Sequence, residues 1–208
     1  MAATLNYYDD NAEHVSAEYE AVDSSSVLNP IVRELPSKSS VLEVGCGSGR
    51  DAAVLLSNGF DVTATDGSPE MLRQAQNLHP ELAGRTVVHR LPHEFPFEPE
   101  SFDAVVALAV IMHLEAAELP RAFSAIAKVL STGGVFAYSV NTDRPGLNQK
   151  GNDENGRHFT CLPASEWERL HCAAGLETKH VQENADISGR TGIRWVTFLC
   201  RKPRNALR

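Results

Sequence analysis

The stretch VLEVGCGSGRDAA, from Val41 to Ala53, packs three glycines into five positions directly behind an apolar run. Glycine adopts dihedrals that a Cβ forbids and lets another group come close to the backbone. A strand, a glycine-rich turn and a helix form a corner whose first helical amides point outward unpaired, a ready seat for an anion or a nucleotide. Such corners belong to folds in which strands and helices alternate.

The alternation is visible along the chain. RDAAVLLSNG reads as a helix closed by Gly59. FDVTATDGS follows as a second strand, and SPEMLRQAQNL as a helix with Ser68 as cap and Pro69 in its first turn. RTVVHRL is a third strand, and SFDAVVALAV, apolar on both faces, has the composition of a central parallel strand. EAAELPRAFSAIAKVLSTGG reads as a helix running to Gly133–Gly134, with Pro120 marking a break in its early part, and VFAYSVN as a fifth strand. Beyond Asn141 comes a loop of about twenty residues rich in Gly, Asn and Asp, and loops of that length in compact domains tend to be functional or disordered. PASEWERLHCAAGL restores a helix. LETKHVQEN and IRWVTFLCRK then close the chain as two strands joined by ADISGRTG, a link short enough for an antiparallel hairpin. Ahead of the glycine turn, NYYDDNAEHVSAEYEAV spaces Ala12, Val15 and Tyr19 as one helix, with Asp10 or Asn11 as its cap. This rhythm implies right-handed crossovers and a parallel sheet covered on both faces.

A chain of 208 residues is long enough for one domain with a proper core and short for two. Its net charge of −8 sets up a field that repels phosphate backbones and anionic membrane surfaces. The basic run RKPRNALR at the C-terminus is expected as a solvated tail. Cys46, Cys161, Cys172 and Cys200 are scattered without a CxxC pair, which reads as reduced thiols in a cytoplasmic protein. The longest apolar run, AVVALAVIM, is strand-like and too short for a membrane span. His89 and His93 are four apart, but Pro92 breaks any helix that would bring them together, and no metal site is expected.

The glycine turn can be read in two registers. Gly47-x-Gly49-x-x-Ala52 fits the G-x-G-x-x-A of dinucleotide sites. Read from Gly45 it is E-V-G-C-G-S-G, and four further elements follow in order. Asp66 closes VTATDGS, SPEML comes next, then FPFEPESFDAVVALAVIMHL, then LSTGGVF. In this second register the chain resembles the class I S-adenosylmethionine-dependent methyltransferases, of the small bacterial type, from about Tyr7 to Lys202. The resemblance implies an α/β, Rossmann-like, doubly wound seven-stranded sheet, mostly parallel with an antiparallel C-terminal strand. It implies a single domain over 1–208, with 1–36 as a helical cap segment and 142–162 as a substrate-side loop. The implied reaction moves a methyl group from S-adenosylmethionine to a small-molecule nucleophile, nitrogen or oxygen, and releases S-adenosylhomocysteine. The expected partner is that acceptor, with neither nucleic acid nor membrane, and the oligomeric state is open. Two rivals stand beside it: an NAD-dependent oxidoreductase using Gly47, Gly49, Ala52 and Asp66, and a non-catalytic module that binds S-adenosylmethionine.

The resemblance also assigns the cofactor residues. Gly45, Gly47 and Gly49, with Cys46 between them, run beside the methionine moiety and ribose, and Glu43 orders the turn or holds the ammonium. Asp66, followed by Gly67, holds both ribose hydroxyls, a carboxylate offering two acceptor oxygens to a vicinal diol. Met71 lies against adenine. Where many relatives carry an acid after the third strand this chain has Leu91 and Pro92, so adenine is expected on backbone groups and apolar packing. Ala107 and Leu108 end the fourth strand beside the cofactor. Tyr8 and Tyr19 cap the site and bond the cofactor carboxylate, or pack as one helix face. Arg50 meets the same carboxylate, or solvent.

Methyl transfer from a sulfonium is mainly positioning and exclusion of water. A nucleophile that carries a proton also needs a base. His113, in VIMHL, is the candidate catalytic residue, with a structural histidine as the alternative. Tyr7, His158, Arg190, Arg194 and Trp195, together with Arg157 and Phe159, are candidates for the acceptor pocket. Arginines there suit a carboxylate or phosphate, and solvated loop charge explains them equally well.

Overall fold

Strand β1 (Ser40–Val44) is buried at four of its five positions, so both of its faces need cover. In the computed structural model, which describes residues 2–204, it lies at the centre of one sheet. The other strands are β2 (Asp61–Asp66), β3 (Thr86–Val88), β4 (Phe102–Leu108), β5 (Leu130–Asp143), β6 (Glu177–Asn184) and β7 (Arg194–Arg201). Their order is β3-β2-β1-β4-β5-β7-β6. Only β7 runs against its neighbours, pairing antiparallel with both β5 and β6, as the expected C-terminal hairpin requires.

The helices are α1 (Ala2–Asp10), α2 (Ala12–Glu20), α3 (Ser25–Glu34), α4 (Arg50–Ser57), α5 (Pro69–Leu78), α6 (Leu119–Val129) and α7 (Ala164–Ala173). The strands' period of two divides their side chains between two cores. Val41, Val62, Ala104 and Val106 meet Leu28, Leu55 and Leu72 of α3, α4 and α5. Leu42, Val105, Phe136 and Tyr138 meet Phe123, Ile126 and Trp167 of α6 and α7. Chain order reverses between β1 and β4, so the carboxyl ends of these strands flank the crevice where open α/β sheets bind ligands.

Several local expectations need correction. The N-terminal segment is two helices broken at Asn11, whose side-chain amide donates to the Tyr7 carbonyl in the last turn of α1 at 2.8 Å and makes no N-cap bond to α2. Pro120 sits in the first turn of α6, where a missing N–H costs nothing, and breaks no helix. That helix ends at Val129, and the residues before Gly133 already belong to β5, with a register shift between Phe102–Leu130 and Ala104–Val135. The basic C-terminal run is no free tail at Lys202, whose ammonium donates to the carbonyls of Ala127 and Leu130 at 2.9 and 2.8 Å and so caps α6. Residues 205–208 of that run lie outside the described residues. Ser68 caps α5 as expected, its Oγ accepting the Met71 N–H at 3.1 Å. All four cysteines are free, and among the described residues no helix is long and apolar enough to cross a membrane.

Candidate active site

The glycine turn leaves β1 at the crevice. The N–H groups of Gly45 and Cys46 both donate to the Thr65 carbonyl, at 2.7 and 2.9 Å, locking the turn to β2. Gly45 has φ +70°, and a Cβ there would lie 2.5 Å from a methyl of Val110. Gly49, at φ +85°, is constrained differently: a Cβ would meet Leu82 at 2.6 Å and Ala75 at 3.0 Å. Its role is to seat the turn against α5 and the residues after it. Gly47 donates its N–H to Oδ2 of Asp66 at 3.0 Å, while Ser68 donates to Oδ1 at 2.9 Å. Each Asp66 oxygen therefore holds one backbone donor and keeps acceptor capacity for another. Burial raises the Asp66 pKa from its ordinary value, against the N–H groups of Ser68, Gly47 and Gly67 that favour its charge.

A cavity of ≈ 950 Å³ opens over this turn, at the upper end of the range of small-molecule sites. Glu43, 4% exposed, reaches its wall, and its Oε2 is buried without a hydrogen-bond partner. Burial, then the charge of Asp51, pushes the Glu43 carboxyl well above its usual pKa. A cationic donor beside it would relieve both the orphaned oxygen and the buried charge. Met71 and Leu91 supply an apolar wall past Asp66, with Gly67 between, and Leu108 another. An ammonium for Glu43, a vicinal diol for Asp66 and a flat base for the apolar wall are the parts of S-adenosylmethionine, and these residues fit it.

His113, in a single 3₁₀ turn (Ile111–His113) after β4, lines the same cavity. Its Nδ1 lies 2.7 Å from the carbonyl oxygen of His158, so Nδ1 carries the proton. Nε2 then accepts the Tyr8 hydroxyl at 3.1 Å, and the Tyr19 hydroxyl donates to that of Tyr8 at 3.4 Å. Burial holds the His113 pKa down at about 4, with the charges of Arg157 and Arg144 pushing the same way against the His158 carbonyl. The ring is neutral at physiological pH. The turn that aims it depends on Ala109, a non-glycine residue at φ +58° whose N–H bonds the Ser139 carbonyl at 3.1 Å and hydroxyl at 3.0 Å.

Most of the predicted residues meet at this cavity, including Cys46, Tyr7, Tyr8, Tyr19, Arg190 and Trp195. Five do not. Gly49 is turned into the packing just described. Pro92 is buried beyond Leu91. Ala107 points into the core beneath α6, because the pleat sends it opposite to Leu108. His158 faces Asn152 and Thr160, at 3.2 and 3.0 Å, and offers the site only its carbonyl. Arg194 pairs with Asp143 at 2.9 Å on the surface. Arg50 lines the cavity with its donors committed: Nη1 to the carbonyls of Tyr19 and Val22 at 2.7 and 3.0 Å, Nε and Nη2 to Asp51. It neither faces solvent nor awaits a carboxylate; it ties α2 to α4. Sequence reasoning missed Val110, Ser139, Arg144 and Asp186, which also line the cavity. The signal available for Arg144 was its position just past the carboxyl end of a strand.

The chain is similar to known methyltransferases. A family model described as a methyltransferase domain matches residues 41–134, from β1 into β5. An uncharacterized methyltransferase of Bacillus licheniformis is 32% identical over 181 residues, covering 84% of this chain and 78% of the relative. The 18S rRNA (guanine(1575)-N(7))-methyltransferase of Saccharomyces cerevisiae is 29% identical over 155 residues, 66% of this chain and 56% of that protein. The chain spans about half the length of that relative and of one from Synechocystis, at 56% and 48%. Among solved structures, 1,6-didemethyltoxoflavin-N1-methyltransferase of Burkholderia thailandensis, crystallised with 1,6-didemethyltoxoflavin and S-adenosylhomocysteine, superposes with a TM-score of 0.68. That match covers 93% of this chain and 87% of the other at 22% identity, a likeness of fold. By a relative matched over most of its length, and by a sheet of the same kind as the family's, the chain belongs to the class I S-adenosylmethionine-dependent methyltransferases.

Proposed function

We propose that this chain transfers a methyl group from S-adenosylmethionine to a nitrogen or oxygen of a small molecule, releasing S-adenosylhomocysteine. The observation that carries the reading is the shared cavity: the Glu43–Asp66 cradle lines one part, and the Tyr8–His113 pair another. Bound there, S-adenosylmethionine supplies a methyl group on a positively charged sulfur. The chain's own residues bind, orient and exclude water. Glu43 takes the ammonium, Asp66 the ribose diol with Gly47 and Gly67 close by, and Met71, Leu91 and Leu108 the base. Tyr19 lies over Gly47, its ring 3.2 Å from where a Cβ would stand, and shields the turn from solvent. Tyr8 offers the acceptor a hydroxyl lone pair. As the acceptor's proton passes to Tyr8 Oη, the Tyr8 proton passes to His113 Nε2, which the His158 carbonyl keeps in the receptive tautomer.

A nucleic-acid acceptor is disfavoured by the net charge of −8, and Tyr19 of α2 lies over the glycine turn. The test is thermal unfolding with S-adenosylmethionine, S-adenosylhomocysteine or NAD added separately. A ligand at a hundred times its Kd adds about 2.7 kcal/mol, a rise of about 5–10 °C for a domain of this size. The two sulfur compounds should raise Tm and NAD should not. Release of S-adenosylhomocysteine with a panel of small amines and phenols, and none with RNA, then checks the acceptor class.

A further inference from the structure

Arg144 directly follows β5 and lines the cavity; its side chain is 9% exposed and the residue as a whole is half-buried. Among the described residues no acceptor hydrogen-bonds its guanidinium. The nearest carboxylate oxygen, Oδ2 of Asp153, is 3.8 Å away. That oxygen is already taken by Nε and Nη2 of Arg157, at 2.9 and 2.7 Å. The other, Oδ1, accepts the N–H groups of Asn155 and Arg157. Nor does Asp186 serve Arg144: it receives Arg190 at 2.8 Å and the Trp195 indole N–H at 2.9 Å. Arg144, Arg157 and Arg190 are thus balanced by two carboxylates, in a chain that is strongly acidic overall.

A half-buried guanidinium without a hydrogen-bonded acceptor is held where something offsets its partial desolvation. Part of the compensation is the Phe159 ring, over which Arg144 lies at 4.0 Å. Its planar fork of donors, none of them fully shut off from solvent, stays open to the cavity, and its shape matches a carboxylate or phosphate. Phe159 also packs on His113, with ring centroids 4.6 Å apart, so cation and imidazole border one aromatic ring. Tyr7 and Trp195 supply apolar surface nearby.

Resting on the methyl-transfer reading, we infer that the acceptor is a small molecule with a carboxylate or phosphate, received by Arg144 with Arg157 beside it. Arg144 is then a specificity residue for the acceptor and takes no part in holding the cofactor.

The experiment titrates benzoate, phenyl phosphate and the neutral isostere benzamide into the protein at fixed ionic strength, with and without saturating S-adenosylhomocysteine. Wild type, Arg144→Gln and Arg144→Lys are compared, and S-adenosylhomocysteine affinity is measured for each as a check on folding. At least one anion should bind at least tenfold more tightly than benzamide, and Arg144→Gln should lose that preference. Arg144→Lys should keep part of it, and all three proteins should bind S-adenosylhomocysteine alike. Whether benzoate or phenyl phosphate binds better tells carboxylate from phosphate. Equal binding of benzamide, no binding of either anion, or an intact preference in Arg144→Gln overturns the inference. So does a parallel loss of S-adenosylhomocysteine affinity in Arg144→Gln, which would assign Arg144 to the cofactor. Failure of the wild type to bind S-adenosylhomocysteine strikes the methyl-transfer reading itself, separately from the anion result.

Discussion

The hydroxyl of Tyr8 stands 3.1 Å from Nε2 of His113, a contact across 105 residues of chain. The same imidazole reaches the His158 carbonyl with its other nitrogen. One ring thereby joins α1, the turn after β4 and the long loop.

If this pair takes the acceptor's proton, His113→Ala should lower kcat by about a hundredfold or more, the usual contribution of a positioned base. Tyr8→Phe removes the first step of the relay while leaving the ring in place, and should lower kcat about as much. Calorimetric binding of S-adenosylhomocysteine should be unchanged in His113→Ala, because the imidazole bonds Tyr8 and the His158 carbonyl and neither Glu43 nor Asp66. A His113→Ala protein with normal kcat reduces the histidine to a packing role.

The depressed pKa of His113 also fixes a sign. The unfolded chain binds a proton at this histidine near pH 6.5, the folded chain only near pH 4. Stability from the neutral ring is therefore full above about pH 6.5 and is lost as pH falls toward 4, by on the order of 3 kcal/mol. Urea unfolding across that window should show a shallower loss in His113→Gln than in wild type. Equal slopes would mean that the ring is protonated in the folded protein.

How much of this could be read from the sequence depended on the distance over which each feature is determined. The stretch from β1 through α5 was legible because an apolar run, glycines of positive φ and the Ser68 cap are local signals. The start of β5 was not. Leu130 to Gly134 continues a helical pattern, and only pairing with Phe102 and Lys202 makes it sheet. At the site, Asp66 and Glu43 were legible because their positions at strand ends follow from chain order. Arg194 shares its strand with Trp195, and nothing local in the sequence reveals the pairing with Asp143 that turns it to the surface. Arg50 shows the same limit, since its partners are carbonyls that become neighbours only when α2 folds over α4.

That placement of Arg50 makes a prediction of its own. Its guanidinium holds the carbonyls of Tyr19 and Val22 and both oxygens of Asp51, a set that an ammonium cannot span. Arg50→Lys should therefore behave much like Arg50→Ala. Both should speed amide hydrogen exchange across α2 and, by loosening Tyr19 over Gly47, weaken S-adenosylhomocysteine binding. Unchanged exchange in α2 would show that its packing on α5 suffices without the clamp.

Three glycines of positive φ before and after α4 differ in what surrounds them, and substitution should tell them apart. Gly59 has φ +85° with nothing within 4 Å of a Cβ, so Gly59→Ala carries only the left-handed backbone cost of about 1–2 kcal/mol. Gly49 has the same φ, but its Cβ would press into Leu82 and Ala75, adding an overpacking cost of about 1–3 kcal/mol. Gly49→Ala should thus be clearly the less stable of the two in urea unfolding, while its folded fraction still binds S-adenosylhomocysteine. Gly45→Ala should differ from both. Its Cβ would push Val110 at the cavity wall, so cofactor binding should fall along with stability. If Gly49→Ala instead loses cofactor binding at full stability, the third glycine serves the ligand directly, and its packing against Leu82 is incidental.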